Sequence, residues 1–148
     1  MKTIEICVHG NSGQIQDPGA KAMPHGWGIE YDVAGTGSWL QYSIPVEAGT
    51  KVKGVRIIFT KDGKQYKNGW IRHVHVYDAW SLKQKFDNLY LGKGSVNKTI
   101  NKVFTLKKPT QFYYGIGVSI LPETKVAGGL KAIVNFELHS VCAICEVE

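Results

Sequence analysis

The sequence lacks long hydrophobic runs and is poor in cysteine and arginine. No apolar run in its 148 residues approaches the roughly 20 residues of a transmembrane helix, so we expect no insertion into a membrane. The first residues, which include Glu5, lack the apolar middle region of a signal peptide, and we therefore expect a cytoplasmic location. In that compartment the thiols of Cys7, Cys142 and Cys145 would stay reduced, and three cysteines cannot all pair within one chain.

The spacing of Cys142 and Cys145 is that of a C-x-x-C motif, which in another context indicates redox or zinc chemistry. Here the surrounding residues alternate like a strand, in which positions three apart point to opposite faces. The same alternation places Cys142 on the face of Val134 and Phe136. A zinc site would need four ligands, so we expect packed or edge cysteines.

Arginine is scarce although the chain is basic, with a net charge of +6 from 18 basic and 12 acidic residues. Only Arg56 and Arg72 are arginines, and arginine is the residue that reads guanine edges and binds phosphate through two hydrogen bonds. The lysines, Lys61 among them, are scattered through probable turns. This pattern predicts a solvated basic surface and makes a nucleic-acid partner improbable.

Helical periodicity is also missing: no segment keeps a 3.6-residue apolar period over three turns, whereas an alternation of period two recurs almost from end to end. Residues 85–91 fit either a strand or one helical turn. The clear candidate strands cover residues 3–8, 27–33, 38–44, 52–60, 70–79, 98–106, 111–121 and 132–145.

Without crossover helices these strands must pair antiparallel, and the breaks between them carry glycine, proline, asparagine and aspartate. We predict an all-β fold, a jelly-roll-like antiparallel β-sandwich of about eight strands, in a single domain over residues 1–148. The alternation assigns Trp27 to the interior. It also assigns Phe112, Tyr114 and Ile116 to one core face.

His73 and His75 lie two apart on a candidate strand, which is the arrangement by which cupin barrels bind a metal. A cupin would add a glutamate a few residues later, but here only Asp78 follows, and the distant third candidate is His139. Two ligands do not fix an ion, so we expect hydrogen-bonded surface histidines and neither metal nor cofactor. The alternative is a metal site made by His73, His75 and His139.

Aromatic residues near strand ends form a further pattern, with Trp39, Trp70 and Trp80 among them. Flat rings beside amide and carboxylate side chains bind sugars by stacking and hydrogen bonding, although core packing competes for the same rings. Residues 9–13 form a glycine-flanked polar loop, in which His9 and Asn11 are able to contact a small ligand.

Five segments carry a resemblance in order along the chain: HGNS at 9–12, GWGI at 26–29, WLQYSIP at 39–45, VHVYD at 74–78 and GIGVSI at 115–120. As a set they resemble a family of small uncharacterised bacterial proteins over nearly the whole chain. The resemblance implies a single-domain β-sandwich and no established activity. It directs attention to His9, Asn11, Trp39, His75 and Asp78.

These observations predict a noncatalytic, lectin-like binding or interaction module for a saccharide or another small polar ligand. One alternative is a metal-dependent cupin-like enzyme. Another is a structural subunit that assembles with copies of itself through an exposed strand edge or apolar patch, so a homo-oligomer is possible. The predicted ligand-binding residues are His9, Asn11, Trp39, His75, Asp78 and Trp80.

Overall fold

The computed structural model describes residues 2–17, 21–34, 37–62, 68–94, 98–127, 130–131 and 133–148. Strands occupy most of them, and no helix within these ranges has the length and apolar character that a membrane crossing requires. The strands are β1 (Lys2–His9), β2 (Gln14–Ile15), β3 (Ala22–His25), β4 (Gly28–Ala34), β5 (Leu40–Ile44), β6 (Thr50–Asp62), β7 (Gly69–Asp78), β8 (Ser81–Phe86), β9 (Ile100–Phe112), β10 (Ile116–Thr124), β11 (Val126–Ala127), β12 (Leu130–Lys131) and β13 (Ile133–Val147).

Two antiparallel sheets contain eleven of the strands described. The six-stranded sheet has the order β3-β4-β13-β6-β9, with β1 also pairing along β13. The five-stranded sheet has the order β2-β5-β10-β7-β8, and β11 and β12 form a separate hairpin. The predicted all-β, jelly-roll-like sandwich is confirmed. The count of about eight strands was too low, because short strands such as β2 and β3 are too brief to show a periodic pattern.

The core lies between the two sheets because alternate side chains of each strand point inward. On the six-stranded side, Ile57 and Phe59 of β6 are fully buried, and on the five-stranded side Val74 and Val76 of β7 are too. Full burial of such side chains contributes about 1.5–3 kcal/mol each. The outward positions are thereby left to polar residues.

A bulge in β13 changes which face the later residues occupy. The register with β6 shifts between Leu138 and Ser140, so Val141 and Cys145 continue the buried inner face while Cys142 turns outward. The predicted grouping of Cys142 with the core face of Val134 was therefore wrong. Cys142 and Cys145 do point to opposite faces, as expected for a strand.

Cys142 is bonded to Cys7, with an Sγ–Sγ distance of 2.02 Å. The two residues lie directly opposite each other in the pairing of β1 with β13, although 135 positions separate them in sequence. The expectation that all three thiols stay reduced was wrong, because strand pairing makes neighbours of two cysteines from opposite ends of the chain. Cys145 is free and buried, and burial raises the pKa of its thiol.

Two aromatic residues assigned to the core are instead exposed. Trp27 lies in the turn between β3 and β4 and is 43% exposed. Tyr114 is exposed because β9 continues to Phe112 and the chain then turns before β10, with Gly115 at φ 112°. Phe112 itself is buried, as predicted.

Lys61 is the exception among the lysines, since it is fully buried at 0% exposure rather than in a solvated turn. Its ammonium donates hydrogen bonds to the carbonyl oxygens of Gly69, at 2.7 Å, and of Gly92. Loss of hydration on burial lowers the pKa of Lys61 to about 8.

We expect the Cys7–Cys142 bond to stabilise the fold strongly, because it closes nearly the whole chain into a loop in the unfolded state. The double variant Cys7→Ser, Cys142→Ser should lose about 3–5 kcal/mol of unfolding free energy in urea titrations. Reductant should lower the unfolding free energy of the native protein to that of the double variant and leave the double variant's own value unchanged. Titration of three free thiols in the unfolded, unreduced protein would contradict the pairing.

Stability should also depend on pH through Lys61. Its pKa is about 8 in the folded state and 10.5 in the unfolded state, so the unfolded chain binds more protons between these values and stability rises with pH. Relative to Lys61→Met, the native protein should gain about 2 kcal/mol of unfolding free energy between about pH 7.5 and 9.5. Parallel pH profiles of the two proteins would show that Lys61 does not titrate in this way.

Candidate functional site

The outer face of the five-stranded sheet carries a continuous set of polar and aromatic side chains. Leu40, Tyr42 and Ile44 of β5 point into the core, so the residues between them point outward. The same alternation operates in β7 and β10. The outward residues are Gln41, Ser43, His73, His75, Tyr77, Gly117 and Ser119.

Strand register arranges these residues in rows across the sheet. Ser119 of β10 lies opposite Gln41 of β5 on one side and His75 of β7 on the other. The adjacent row consists of Ser43, Gly117 and Tyr77. Since Gly117 has no side chain, the middle of that row is bare backbone.

Trp39, just before β5, forms one wall of the resulting groove. Its ring lies 4.8 Å from the ring of His75 and 6.1 Å from that of His73, centroid to centroid, and stacks on the latter with an interplanar angle of 24°. The groove has a volume of about 320 Å³. It is lined by Gln16, Trp39, Gln41, His75, Tyr77, Leu82, Lys85 and Ser119.

Hydrogen bonds hold the polar side chains of the floor in place. The amide of Gln41 donates to the side-chain oxygen of Gln16 at 3.0 Å, and the hydroxyl of Ser119 donates to the side-chain oxygen of Gln41. Linked groups of this kind keep defined orientations without a ligand, which lowers the entropy lost on binding.

His73 and His75 meet a carboxylate that the sequence pattern did not indicate. Nδ1 of His73 lies 2.9 Å from Oδ1 of Asp87, and Nε2 of His75 lies 2.7 Å from the same oxygen. The hydrogen bond from His75 is the main cause that lowers the pKa of Asp87. Asp87 directly follows β8, the strand that pairs with β7.

His139 does not join this pair, which corrects the alternative metal set of His73, His75 and His139. It lies on β13 in the other sheet. There its Nδ1 is 2.8 Å from the carbonyl oxygen of Trp27 and its Nε2 is 2.8 Å from Oγ1 of Thr60.

His9 ends β1 of the six-stranded sheet, Asn11 lies in the 3₁₀ turn Gly10–Ser12 that follows, and neither lines the groove beside Trp39. Nε2 of His9 is 2.8 Å from the carbonyl oxygen of Gly26, and its Nδ1 accepts a 3.1 Å hydrogen bond from the backbone N–H of Asn11. The amide of Asn11 donates to the carbonyl oxygen of His25 at 3.1 Å. Both side chains thus tie the 3₁₀ turn after β1 to the hairpin of β3 and β4.

Asp78 and Trp80 lie at the end of β7. Asp78 is buried. Its two carboxylate oxygens accept hydrogen bonds from the backbone N–H groups of Tyr113, at 3.1 Å, and Tyr114, at 2.9 Å. Trp80 is 77% exposed, with its ring 5.0 Å from that of Tyr114. Tyr114 borders a second depression of about 310 Å³ that includes Gly117, so it follows the first along the same face.

Of the six predicted residues, Trp39 and His75 are the two that line the groove. Sequence reasoning missed Gln41, Ser119 and Asp87. The alternation of β5 and β10 contained the signal that Gln41 and Ser119 point outward. Which strands lie side by side, and so which outward residues meet, was not readable from the pattern.

No profile of a known protein family matches the sequence, and no curated protein matches it significantly. Solved structures do resemble it. A xylan-binding module, CBM15, superposes with a TM-score of 0.69 at 11% identity, over 99% of this chain and 99% of that one. The CBM36-1 domain of a multidomain xylanase from the hindgut metagenome of Trinervitermes trinervoides gives a TM-score of 0.53 at 14% identity, covering 98% and 99%.

An exo-β-1,3-galactanase from Phanerochaete chrysosporium gives a TM-score of 0.51 at 14% identity. This match covers 95% of the present chain but 29% of the galactanase, so it concerns one part of that enzyme. At these identities the likenesses establish the fold alone, which the chain shares with the CBM15 module and the CBM36-1 domain.

Proposed function

We propose that the protein is a noncatalytic carbohydrate-binding module and that it binds its ligand on the outer face of the five-stranded sheet. The observation that carries this proposal is the position of the Trp39 ring beside the polar row of Gln41, Ser119 and His75. The fold supports it, since two of the similar structures are a xylan-binding module and a domain of a xylanase.

The chemistry of the groove matches that of a sugar. A pyranose ring presents an apolar face of C–H groups and a rim of hydroxyls, so it needs a flat ring to stack on and nearby donors and acceptors. Trp39 provides the ring. Gln41 and Ser119 offer amide and hydroxyl groups, and among the described residues none forms a hydrogen bond with the hydroxyl of Tyr77, which leaves it for the ligand.

The shape of the face supports an oligosaccharide rather than a single sugar. The groove beside Trp39 and the depression beside Tyr114 follow one another, and the bare backbone of Gly117 lies in the row between them. A chain lying along these two depressions would contact an aromatic ring in each. We therefore propose a neutral polysaccharide chain as the ligand, with xylan as the first to test.

The lining of the groove also supports a function without catalysis. Hydrolysis of a glycosidic bond ordinarily requires two carboxyl groups on either side of it. The described residues that line the groove include no aspartate or glutamate.

A larger cleft on the other sheet is a poorer candidate. It has a volume of about 380 Å³ and is lined by Lys21, Ala22, Met23, Glu30 and Asp32. None of these described lining residues is aromatic, so this cleft offers a sugar no ring for stacking.

The location of the protein stays a prediction. The sequence analysis predicted a cytoplasmic location, whereas the Cys7–Cys142 bond favours an oxidising compartment. We propose such a compartment as the place of action, which suits a module that binds polysaccharide. The finer resemblance to a bacterial family and the formation of homo-oligomers also stay predictions.

Replacing Trp39 by alanine should remove the stacking surface and weaken binding of xylohexaose by about 2 kcal/mol, or roughly thirtyfold in Kd. Isothermal titration calorimetry measures this directly, and affinity electrophoresis in xylan-containing gels gives an independent estimate. The matched control is Trp27→Ala, which removes a partly exposed tryptophan from the other sheet and should leave the affinity unchanged.

Circular dichroism and urea unfolding would establish that both variants are folded. Equal affinity of Trp39→Ala and the native protein would exclude this face as the site. Weakening by Trp27→Ala alone would place binding on the six-stranded sheet. If neither xylan nor any glycan of a broad array is retained by the native protein, the proposed function is wrong.

A further inference from the structure

Three metal-ligating side chains converge at the edge of the groove. His73 and His75 project from the same face of β7, and Asp87 reaches them from the end of β8. Their ligating atoms all lie within 4.8 Å of one another. We propose that His73, His75 and Asp87 form a binding site for a divalent transition-metal ion, for which Zn²⁺ is the probe.

The two distances from the imidazole nitrogens to the carboxylate oxygen are close to what a metal ion requires. Tetrahedral zinc bonds of about 2.0–2.1 Å place neighbouring ligand atoms about 3.3 Å apart. Oδ1 of Asp87 now lies 2.9 Å from Nδ1 of His73 and 2.7 Å from Nε2 of His75, so each distance must open by roughly half an ångström to match that geometry. Asp87 is the most exposed of the three side chains and is able to make this small movement.

Nδ1 of His73 has two neighbours that compete for its single hydrogen-bonding position. The backbone N–H of Asn88 lies 3.3 Å from this nitrogen and is able to donate to it when the nitrogen carries no hydrogen. The same nitrogen faces the carboxylate oxygen of Asp87 at 2.9 Å. The nitrogen and the carboxylate oxygen repel at this distance unless a hydrogen atom or a metal ion lies between them. The neutral Nδ1–H tautomer of the imidazole supplies the hydrogen, and a metal ion that takes its place would bind the same nitrogen.

The donor set selects the class of ion. Two imidazoles and one carboxylate suit Zn²⁺, Cu²⁺ or Ni²⁺, whereas Ca²⁺ and Mg²⁺ prefer sites made of oxygen atoms. The side chains of His75, His73 and Asp87 are 13%, 19% and 37% exposed, so the ion would reach them from solvent and keep open positions for water. The ring of Trp39 packs on both imidazoles and restricts their rotation.

This site does not depend on the proposed saccharide binding, and variants separate the two. Trp39→Ala removes a ring that sugar would contact but no metal ligand, so it should weaken xylohexaose binding as predicted above and still bind Zn²⁺. Asp87→Ala removes a metal ligand that does not line the groove, so it should weaken Zn²⁺ binding and leave sugar binding unchanged. Failure of either binding activity would leave the other measurable.

The test is calorimetric titration of untagged, chelator-stripped protein with zinc chloride alone. We expect one Zn²⁺ per chain, with affinity lowered at least tenfold in each of His73→Ala, His75→Ala and Asp87→Ala. The matched control is His25→Ala. It removes a histidine whose Nε2 also lies against a carboxylate, 3.0 Å from Oε2 of Glu30, but which is not among the three converging ligands, and it should bind Zn²⁺ like the native protein.

A second measurement uses only the native protein and so does not depend on folding of the variants. Long-range ¹H–¹⁵N spectra should show Zn²⁺ shifting Nδ1 of His73 and Nε2 of His75 while the nitrogens of His25 stay unchanged. Loss of binding in all three ligand variants together with these shifts supports the site. No binding, equal binding by the ligand variants and the control, or shifts spread over all histidines would overturn it.

Discussion

Apolar side chains repeat at every second residue, and each strand can bury only the face on which they lie. Two sheets that cover each other's apolar faces satisfy this constraint, and the fully buried residues of β6 and β7 show that they do. The candidate groove is built from the positions that the core does not use. The positions between core residues must face outward, so the strands that build the core also present Gln41, His75 and Ser119.

The antiparallel register then brings outward residues from separate strands together in the candidate groove. Gln41, Ser119 and His75 come from three strands that are far apart in sequence and yet form one row. Their links to one another, and the packing of Trp39 against His75, hold the row in one arrangement. A rigid sheet is a good support for recognition, because little conformational freedom is lost when a ligand binds.

Sequence reasoning named two residues of the candidate groove, Trp39 and His75, and grouped with them residues that the structure places elsewhere. Trp39 and His75 were found because ring and imidazole chemistry is visible residue by residue. His9 and Asn11 have similar chemistry, but the turn after β1 uses both in hydrogen bonds to the hairpin of β3 and β4. Asp87 was missed in favour of His139, since strand pairing places β8 beside β7 whereas β13 belongs to the other sheet.

The alternation of residues along the chain, a local property, determined the fold class, most of the strands and the inward or outward direction of most side chains. It failed where a bulge or turn breaks the rhythm, as at Cys142 and Tyr114. Only the tertiary structure decided which strands are neighbours. The Cys7–Cys142 bond, the burial of Lys61 and the meeting of two histidines with Asp87 all depend on that choice. The physical reason is that backbone hydrogen bonds between strands join almost any pair of sequences, so partners are selected by the packing of the whole molecule.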